Sequence, residues 1–150
     1  MANESDGPNS PLPVTRLNQI IRENRIADYE SPALALGMRP TGFEQGESHW
    51  SWSAQPPLVL NPFGMIGGGF IAVFVDELCS TAIASILEEA EWAVTVETKI
   101  SYLRILRPGP VGGVGRVLRR GRLIAFLEAR VIAADGSAAA LASSTWSISR

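Results

Sequence analysis

The residues best placed to do chemistry lie between Asn61 and Leu78, where Gly67-Gly68-Gly69 precedes an apolar stretch that carries an acidic pair. The stretch has the pattern of a helix, so the N–H of Gly68 would point out of a helix N-terminus, where the macrodipole favours developing negative charge. Asp76 follows about two turns later among apolar neighbours, where a carboxylate is costly unless it is paired or useful. An amide in that position can stabilise an oxyanion, and a carboxylate can take part in acid–base chemistry.

Each of these residues also has a purely structural interpretation. The glycines could serve only close packing at the start of the helix, and Asp76 could be bonded to a neighbouring loop or subunit. Glu77 is the competing acid and points about 100° away from Asp76, towards an interface or solvent. Ser80, one turn beyond Asp76, could hold a water molecule.

The spacing of hydrophobic residues on either side of this segment predicts the helix and strands that surround it. Residues from Phe70 to about Ala90 are apolar nearly all round, which predicts one enclosed helix. Upstream, two extended segments are predicted, Ala33–Met38 and Phe43–Ser53, and in the second Trp50 and Trp52 share one face while His49 and Ser51 share the other. Downstream, a period of two predicts four strands: Ala93–Arg104, Val111–Arg119, Leu123–Ala134 and Ala138–Ser149, the last two joined by an Asp135-Gly136 hairpin.

Two finer predictions concern the first downstream strand and the N-terminal region. Alternation in the strand puts Val94, Val96, Ile100 and Tyr102 on one face and Thr95, Glu97, Lys99 and Ser101 on the other. Residues 1–14 are expected to be a disordered leader, followed by a short amphipathic helix that Thr15 can cap. One helix facing one antiparallel sheet is an α+β arrangement, so residues 15–150 are expected to form a single domain.

Composition narrows the possible functions of the 150-residue chain. Hydrophobic residues make up 46% of the sequence, a surplus that hints at subunit contacts. A net charge of −2 argues against general nucleic-acid binding, which needs a basic surface. The one cysteine, Cys79, excludes an internal disulfide or a cysteine-built zinc site and is expected to be a small buried hydrophobe. The acidic pair argues against a membrane span, and the start of the chain lacks a secretory signal, so a cytoplasmic protein is expected.

The segment from Asn61 to Leu78 resembles the signature of the PaaI-like branch of the hotdog-fold thioesterase superfamily. That signature has an asparagine, then G-x-x-H-G-G, then an acid, and Asn61, Gly64, Gly68, Gly69 and Asp76 stand at those spacings. The resemblance implies a hotdog fold, an antiparallel sheet wrapped around one long central helix, and hydrolysis of acyl-coenzyme A thioesters. Gly67 stands where the family usually has histidine, and the only histidine, His49, does not fill that position.

The resemblance also implies roles for individual residues. Asp76 would be the general base, the Gly68 N–H the oxyanion donor, and Asn61 a group that positions the water or the carbonyl across a subunit boundary. It implies no metal or redox cofactor, coenzyme A being part of the substrate, and a homodimer or a homotetramer built from two dimers. Further substrate contacts would come from Gly67, Gly69, Ser80 and Thr95, and from Arg119, Arg120 and Arg122 near the coenzyme A nucleotide.

Several alternatives remain open at this point. Thr95 could be an ordinary strand residue, Asn61 an ordinary turn residue before proline, and the arginines a solvated turn. Gly67 in place of histidine favours a non-catalytic protein that binds acyl-coenzyme A. An enoyl-coenzyme A hydratase-like activity is a weaker alternative, because such hotdog proteins place a histidine near the acid.

Overall fold

The computed structural model describes residues 31–54 and 58–150, together with Glu23. The predicted leader, the Thr15 helix and residues 55–57 lie outside the described residues. Eight elements follow one another along the described chain: α1 (Pro32–Ala35), β1 (Met38–Glu44), β2 (Glu47–Ala54), α2 (Gly68–Ala84), β3 (Trp92–Tyr102), β4 (Gly109–Arg120), β5 (Ile124–Ile132) and β6 (Ala138–Ser149).

The strands form one antiparallel sheet in the order β1-β2-β4-β5-β6-β3, which leaves β1 and β3 at its edges. α2 packs against one face of this sheet and contacts every strand from β1 to β5. The α+β arrangement predicted from the sequence, one long helix facing an antiparallel sheet, is therefore confirmed. Gly136 in the last hairpin has a φ of +81°, and Asp135 Oδ1 accepts the Ser137 N–H, as the Asp-Gly signal predicted.

Two predictions for the upstream region were wrong. Within the predicted extended segment Ala33–Met38 only Met38 is in a strand, because the Ser31 hydroxyl caps α1 by accepting the Leu34 N–H and Pro32 starts the helix. The predicted strand Phe43–Ser53 is divided by a turn in which Gly46 has a φ of +80°. That conformation, which favours glycine, folds the segment into the β1–β2 hairpin.

The main helix is shorter than predicted, since it starts at Gly68 and ends at Ala84 instead of near Ala90. It approaches β4 so closely that a Cβ at Gly115 would stand 2.1 Å from the Leu78 carbonyl oxygen. The hydroxyl of Ser48 donates to that oxygen at 2.6 Å, and Trp50 Nε1 donates to Thr81 Oγ1 at 3.0 Å. These contacts fix the rotation of α2 over the sheet.

Strand β3 carries a bulge that changes which side chains face the helix. Thr95 pairs with Trp146 and Glu97 pairs with Thr145, so Val96 is an extra residue. Thr95 therefore lies on the helix side of the sheet with Ile100, and the predicted alternation is wrong at the N-terminal end of the strand. Val94, expected on the face of Ile100, is exposed.

Candidate active site

The N-terminus of α2 presents two backbone N–H groups without a hydrogen-bond partner among the described residues, those of Gly68 and Gly69. Gly67 is the N-cap and supplies no side-chain cap, while its own N–H donates to Val59 O at 2.9 Å. Phe70 N–H, the next along, already donates to Gly67 O. Gly68 and Gly69 are exposed, so a bound carbonyl could approach bare backbone there.

The backbone carbonyl of Gly68 is held by a residue that sequence reasoning did not include in the site. The hydroxyl of Tyr102, at the end of β3, donates to Gly68 O at 3.0 Å. The only sequence signal was the face that Tyr102 shares with Ile100. That signal predicts burial against a helix but not a contact with its first turn.

Asp76 projects from α2 towards the edge strand. Its Oδ1 accepts a hydrogen bond from Thr95 Oγ1 at 2.9 Å, and no described residue bonds to Oδ2. Asp76 is exposed, contrary to the apolar surroundings expected from its neighbours in sequence, because it faces past the edge of the sheet. Glu77 is the acid that is half-buried, and burial, followed by the charge of Asp76, raises its pKa to about 7.

Asn61 lies in the loop before α2 with its side-chain oxygen fully engaged. Oδ1 accepts the N–H groups of Phe63 at 3.0 Å and of Met65 at 3.2 Å. The side-chain amide Nδ2 has no partner among the described residues, so it can donate to a ligand. The turn interpretation and the functional interpretation of Asn61 are thus compatible in this geometry.

The other predicted site residues are distributed more widely. Ser80 donates to Glu77 O within the helix, and no hydrogen bond joins it to Asp76. Arg120 binds the buried carboxylate of Glu91, whereas Arg119 and Arg122 are exposed and form no ion pair within the described part of the chain. These two border an open depression of about 400 Å³ whose lining includes Leu123, Ile124 and Phe126.

Two further residue types were considered for catalysis or metal binding. His49 Nε2 lies 2.7 Å from Glu47 Oε1 on β2, and because it alternates with buried Ser48 and Trp50 it faces away from α2. Cys79 is buried as predicted, and burial, followed by the Asp76 charge, raises the pKa of its thiol to about 12. Within residues 31–54 and 58–150, no three His, Cys, Asp or Glu side chains are grouped to hold a metal.

No helix in the described ranges is long and apolar enough to cross a membrane.

The free amides and the Asp76 carboxylate are on the same helix but eight residues apart, which corresponds to about 12 Å of rise. The candidate site on one copy of the chain is therefore in two halves, a pair of backbone amides at Gly68 and Gly69 and a carboxylate at Asp76.

Comparisons with known proteins agree with this architecture. Residues 63–140 match the family model described as "Thioesterase superfamily". A Saccharolobus solfataricus protein named "Putative esterase SSO1253" is 24% identical over 93% of this chain and 87% of its own length. The conserved protein PA5202 from Pseudomonas aeruginosa is 26% identical, with a TM-score of 0.74 over 80% of this chain and 94% of that one. The E. coli PaaI protein, from a phenylacetic acid degradation operon, is 18% identical, with a TM-score of 0.75 over 87% and 94% of the two chains.

Proposed function

The chain belongs to the thioesterase superfamily and has its hotdog fold, and we propose that it hydrolyses acyl-coenzyme A thioesters in an active site shared by two copies of the chain. The observation that carries the proposal is the pair of half-sites on α2: two free N–H groups at its start, and a carboxylate held by Thr95 two turns further on. The first half suits the oxygen of a carbonyl under attack, and the second suits the attacking water.

Two copies are needed because one carbonyl cannot reach both halves of one chain. The attacking water and the oxyanion donor must lie within about 3 Å of the same carbonyl group, whereas the two halves are about 12 Å apart. A two-fold axis that sets two α2 helices antiparallel would bring Gly68 of one copy to Asp76 of the other. Residues 103–107 and the Asn61 loop meet at the Gly68 end, where Ile66 N–H donates to Leu106 O.

The edge strand β3 supplies a surface for this pairing. It pairs with β6 on one side only, so its other edge offers unpaired N–H and C=O groups to a second strand. Val94, Val96 and Tyr102 on β3 are each 45% or more exposed, which is unusual for apolar side chains of a monomer. Extension of the sheet through β3 would cover them, and a two-fold axis between Thr95 and Tyr102 would bring Asp76 of one copy to Gly68 of the other.

The proposed reaction uses one water and no cofactor. Oδ2 of Asp76 takes a proton as the water oxygen bonds to the thioester carbon, and Thr95 holds Oδ1 so that the carboxylate keeps its orientation. The partner copy's Gly68 and Gly69 N–H groups stabilise the oxyanion. Nδ2 of the partner copy's Asn61, in the loop just before them, can donate to the same oxygen. The carbon–sulfur bond then breaks, and the proton passes from Asp76 to the sulfur, which yields a carboxylic acid and coenzyme A.

The nucleotide end of coenzyme A would lie at the β4–β5 hairpin. Thr95 pairs with Trp146, which pairs with Ala125, so the hairpin is two strands, or about 10 Å, from Thr95. Arg119 and Arg122, which form no ion pair with the described residues, offer their guanidinium groups to phosphates above an apolar depression. Arg120 is left out of the proposed phosphate contacts because its guanidinium serves Glu91.

A thiol-release assay with a panel of acyl-coenzyme A substrates tests the proposal. We expect turnover by the wild-type protein and a loss of at least about a hundredfold in kcat for Asp76→Asn, which cannot accept the proton. Glu128→Gln is the matched control, because it removes an exposed carboxylate from the opposite face of the sheet and should leave kcat unchanged. Equal kcat values for wild type and Asp76→Asn would overturn the assignment of the base.

One observation favours a non-catalytic alternative. Gly67 has no side chain at the start of α2, where the family usually places a histidine, so α2 itself contributes only backbone groups to the oxyanion half. A protein that only binds acyl-coenzyme A would show saturable binding by calorimetry without thiol release from any substrate. That result would replace the hydrolase by a sensor or carrier.

A further inference from the structure

We infer that Tyr102 is a positioning residue for the oxyanion-binding amides, and that its hydroxyl fixes the Gly68–Gly69 peptide of α2. The role of Tyr102 in catalysis rests on the proposed function, whereas the contact between Tyr102 and Gly68 is a feature of the fold. It is carried by the Tyr102 Oη–Gly68 O hydrogen bond of 3.0 Å and by the packing of the tyrosine ring against Gly68.

The start of α2 needs an external constraint because it is built from three consecutive glycines. Glycine loses more backbone freedom on folding than any other residue, and Gly67 brings no side-chain cap to the first turn. The Gly67 N–H is fixed by Val59 O. Two residues further on, a Cβ at Gly69 would have no heavy atom within 4 Å. No neighbour in the described part of the chain therefore packs against Gly69 on the side where a side chain would be.

Tyr102 supplies the constraint on the following peptide. A Cβ at Gly68 would meet three ring and hydroxyl atoms of Tyr102, the nearest at 3.4 Å, so the ring occupies the side of Gly68 that a side chain would use. The hydroxyl bonds to the carbonyl of the same residue. Ring and hydroxyl together hold Gly68 from β3.

Fixing this carbonyl also fixes an amide. The peptide unit is planar, so the C=O of Gly68 and the N–H of Gly69 point in opposite directions within one rigid group. A donor on the oxygen also polarises the unit and strengthens its N–H as a donor. Tyr102 therefore orients and strengthens the Gly69 N–H, and through the backbone of Gly68 it limits the direction of the Gly68 N–H.

Tyr102→Phe removes the hydroxyl and keeps the ring. We expect kcat to fall about tenfold, with KM changed less than about twofold, because the hydrogen bond matters most when charge develops on the oxyanion. Thr98→Val is the matched control, because it removes another β3 hydroxyl, which bonds to Ser144 and not to α2, and both constants should stay at the wild-type values. Equal losses in the two variants, or a change in KM alone, would overturn the positioning role.

A spectroscopic measurement tests the contact without any substrate. Of the glycines in the sequence, only Gly67-Gly68-Gly69 and Gly112-Gly113 are adjacent. Protein labelled with ¹³C and ¹⁵N in glycine alone therefore gives carbonyl-to-amide cross-peaks for three peptide bonds. In Tyr102→Phe we expect the Gly68–Gly69 cross-peak to shift, with the Gly68 carbonyl ¹³C moving upfield, while the Gly112–Gly113 cross-peak on β4 stays in place.

The two readouts separate failure of the inference from failure of the proposed function. A Gly68–Gly69 cross-peak that moves no more than that of Gly112–Gly113 would overturn the inference, whatever the kinetics. A wild-type protein that releases no thiol would defeat the proposed hydrolysis, and the cross-peak would then decide the positioning of the peptide alone.

Discussion

Thr95 Oγ1 donates a hydrogen bond to Asp76 Oδ1 over 2.9 Å and thereby joins the edge strand β3 to the flank of α2. The contact exists because the bulge at Val96 turns Thr95 towards the helix, whereas regular alternation would have turned it away. One oxygen of the carboxylate is held, and none of the described residues bonds to the other. This arrangement is what a general base needs, since its orientation is fixed and its accepting lone pair is free.

Removal of the Thr95 hydroxyl should impair catalysis without unfolding the protein. In Thr95→Val the carboxylate loses its orienting donor, and we expect kcat to fall about tenfold, while Thr95→Ser keeps the donor and most of the activity. In the Asp76→Asn background the same substitution should cost much less. Additive losses in that double-mutant cycle, measured by thiol release, would show that Thr95 acts independently of Asp76.

Gly67→His should be accepted by the fold. Gly67 has φ −65° and ψ 136°, which any residue adopts, and its Cβ would meet Phe70 at 3.4 Å and Val59 O at 3.7 Å. We expect an unchanged melting temperature within a few degrees and a kcat that rises about tenfold, because the imidazole adds a further polar group beside the oxyanion. Gly67→Ala is the control without that group. The same kcat in both variants would mean that residue 67 does not face the substrate carbonyl.

The half-buried Glu77 should make stability fall as the pH rises. Burial, followed by the charge of Asp76, raises the pKa of Glu77 from about 4.5 to about 7 in the folded protein. Between these values the folded state binds more protons than the unfolded state, so the free energy of unfolding decreases by at most about 1.4 kcal/mol per pH unit. In urea unfolding, the free energy of unfolding of Glu77→Gln minus that of wild type should therefore be larger at pH 8 than at pH 4. A difference between the two proteins that is the same at both pH values would contradict the raised pKa.

Gly115 should tolerate no side chain. Its Cβ would stand 2.1 Å from the backbone oxygen of Leu78, so Gly115→Ala must push α2 away from β4, at a cost of about 3 kcal/mol. Gly112→Ala on the same strand is the control, because its Cβ would meet only Ile132 Cβ at 3.9 Å. Melting temperatures by calorimetry compare the two, and similar values would show that the helix is not held at this distance.

Local features of the sequence determined the framework of the site. Three glycines ahead of an apolar stretch placed the start of α2 correctly at Gly68, and Asp135-Gly136 placed the last hairpin. Period-two patterns located the four downstream strands to within two residues at either end. Each of these features depends only on the conformational preferences of residues that are adjacent in sequence, so the sequence alone is enough to predict it.

Tertiary structure alone decided which side chains meet. Thr95 reaches Asp76 because of a bulge that leaves no mark in the alternation of residue types, and Tyr102 reaches Gly68 across a separation of 34 residues. Asp76 rather than Glu77 is exposed because packing against β4 and Trp50 fixes the rotation of α2. Strand register and helix rotation are set by the balance of many distant contacts, so they could not be obtained from any short stretch of the sequence.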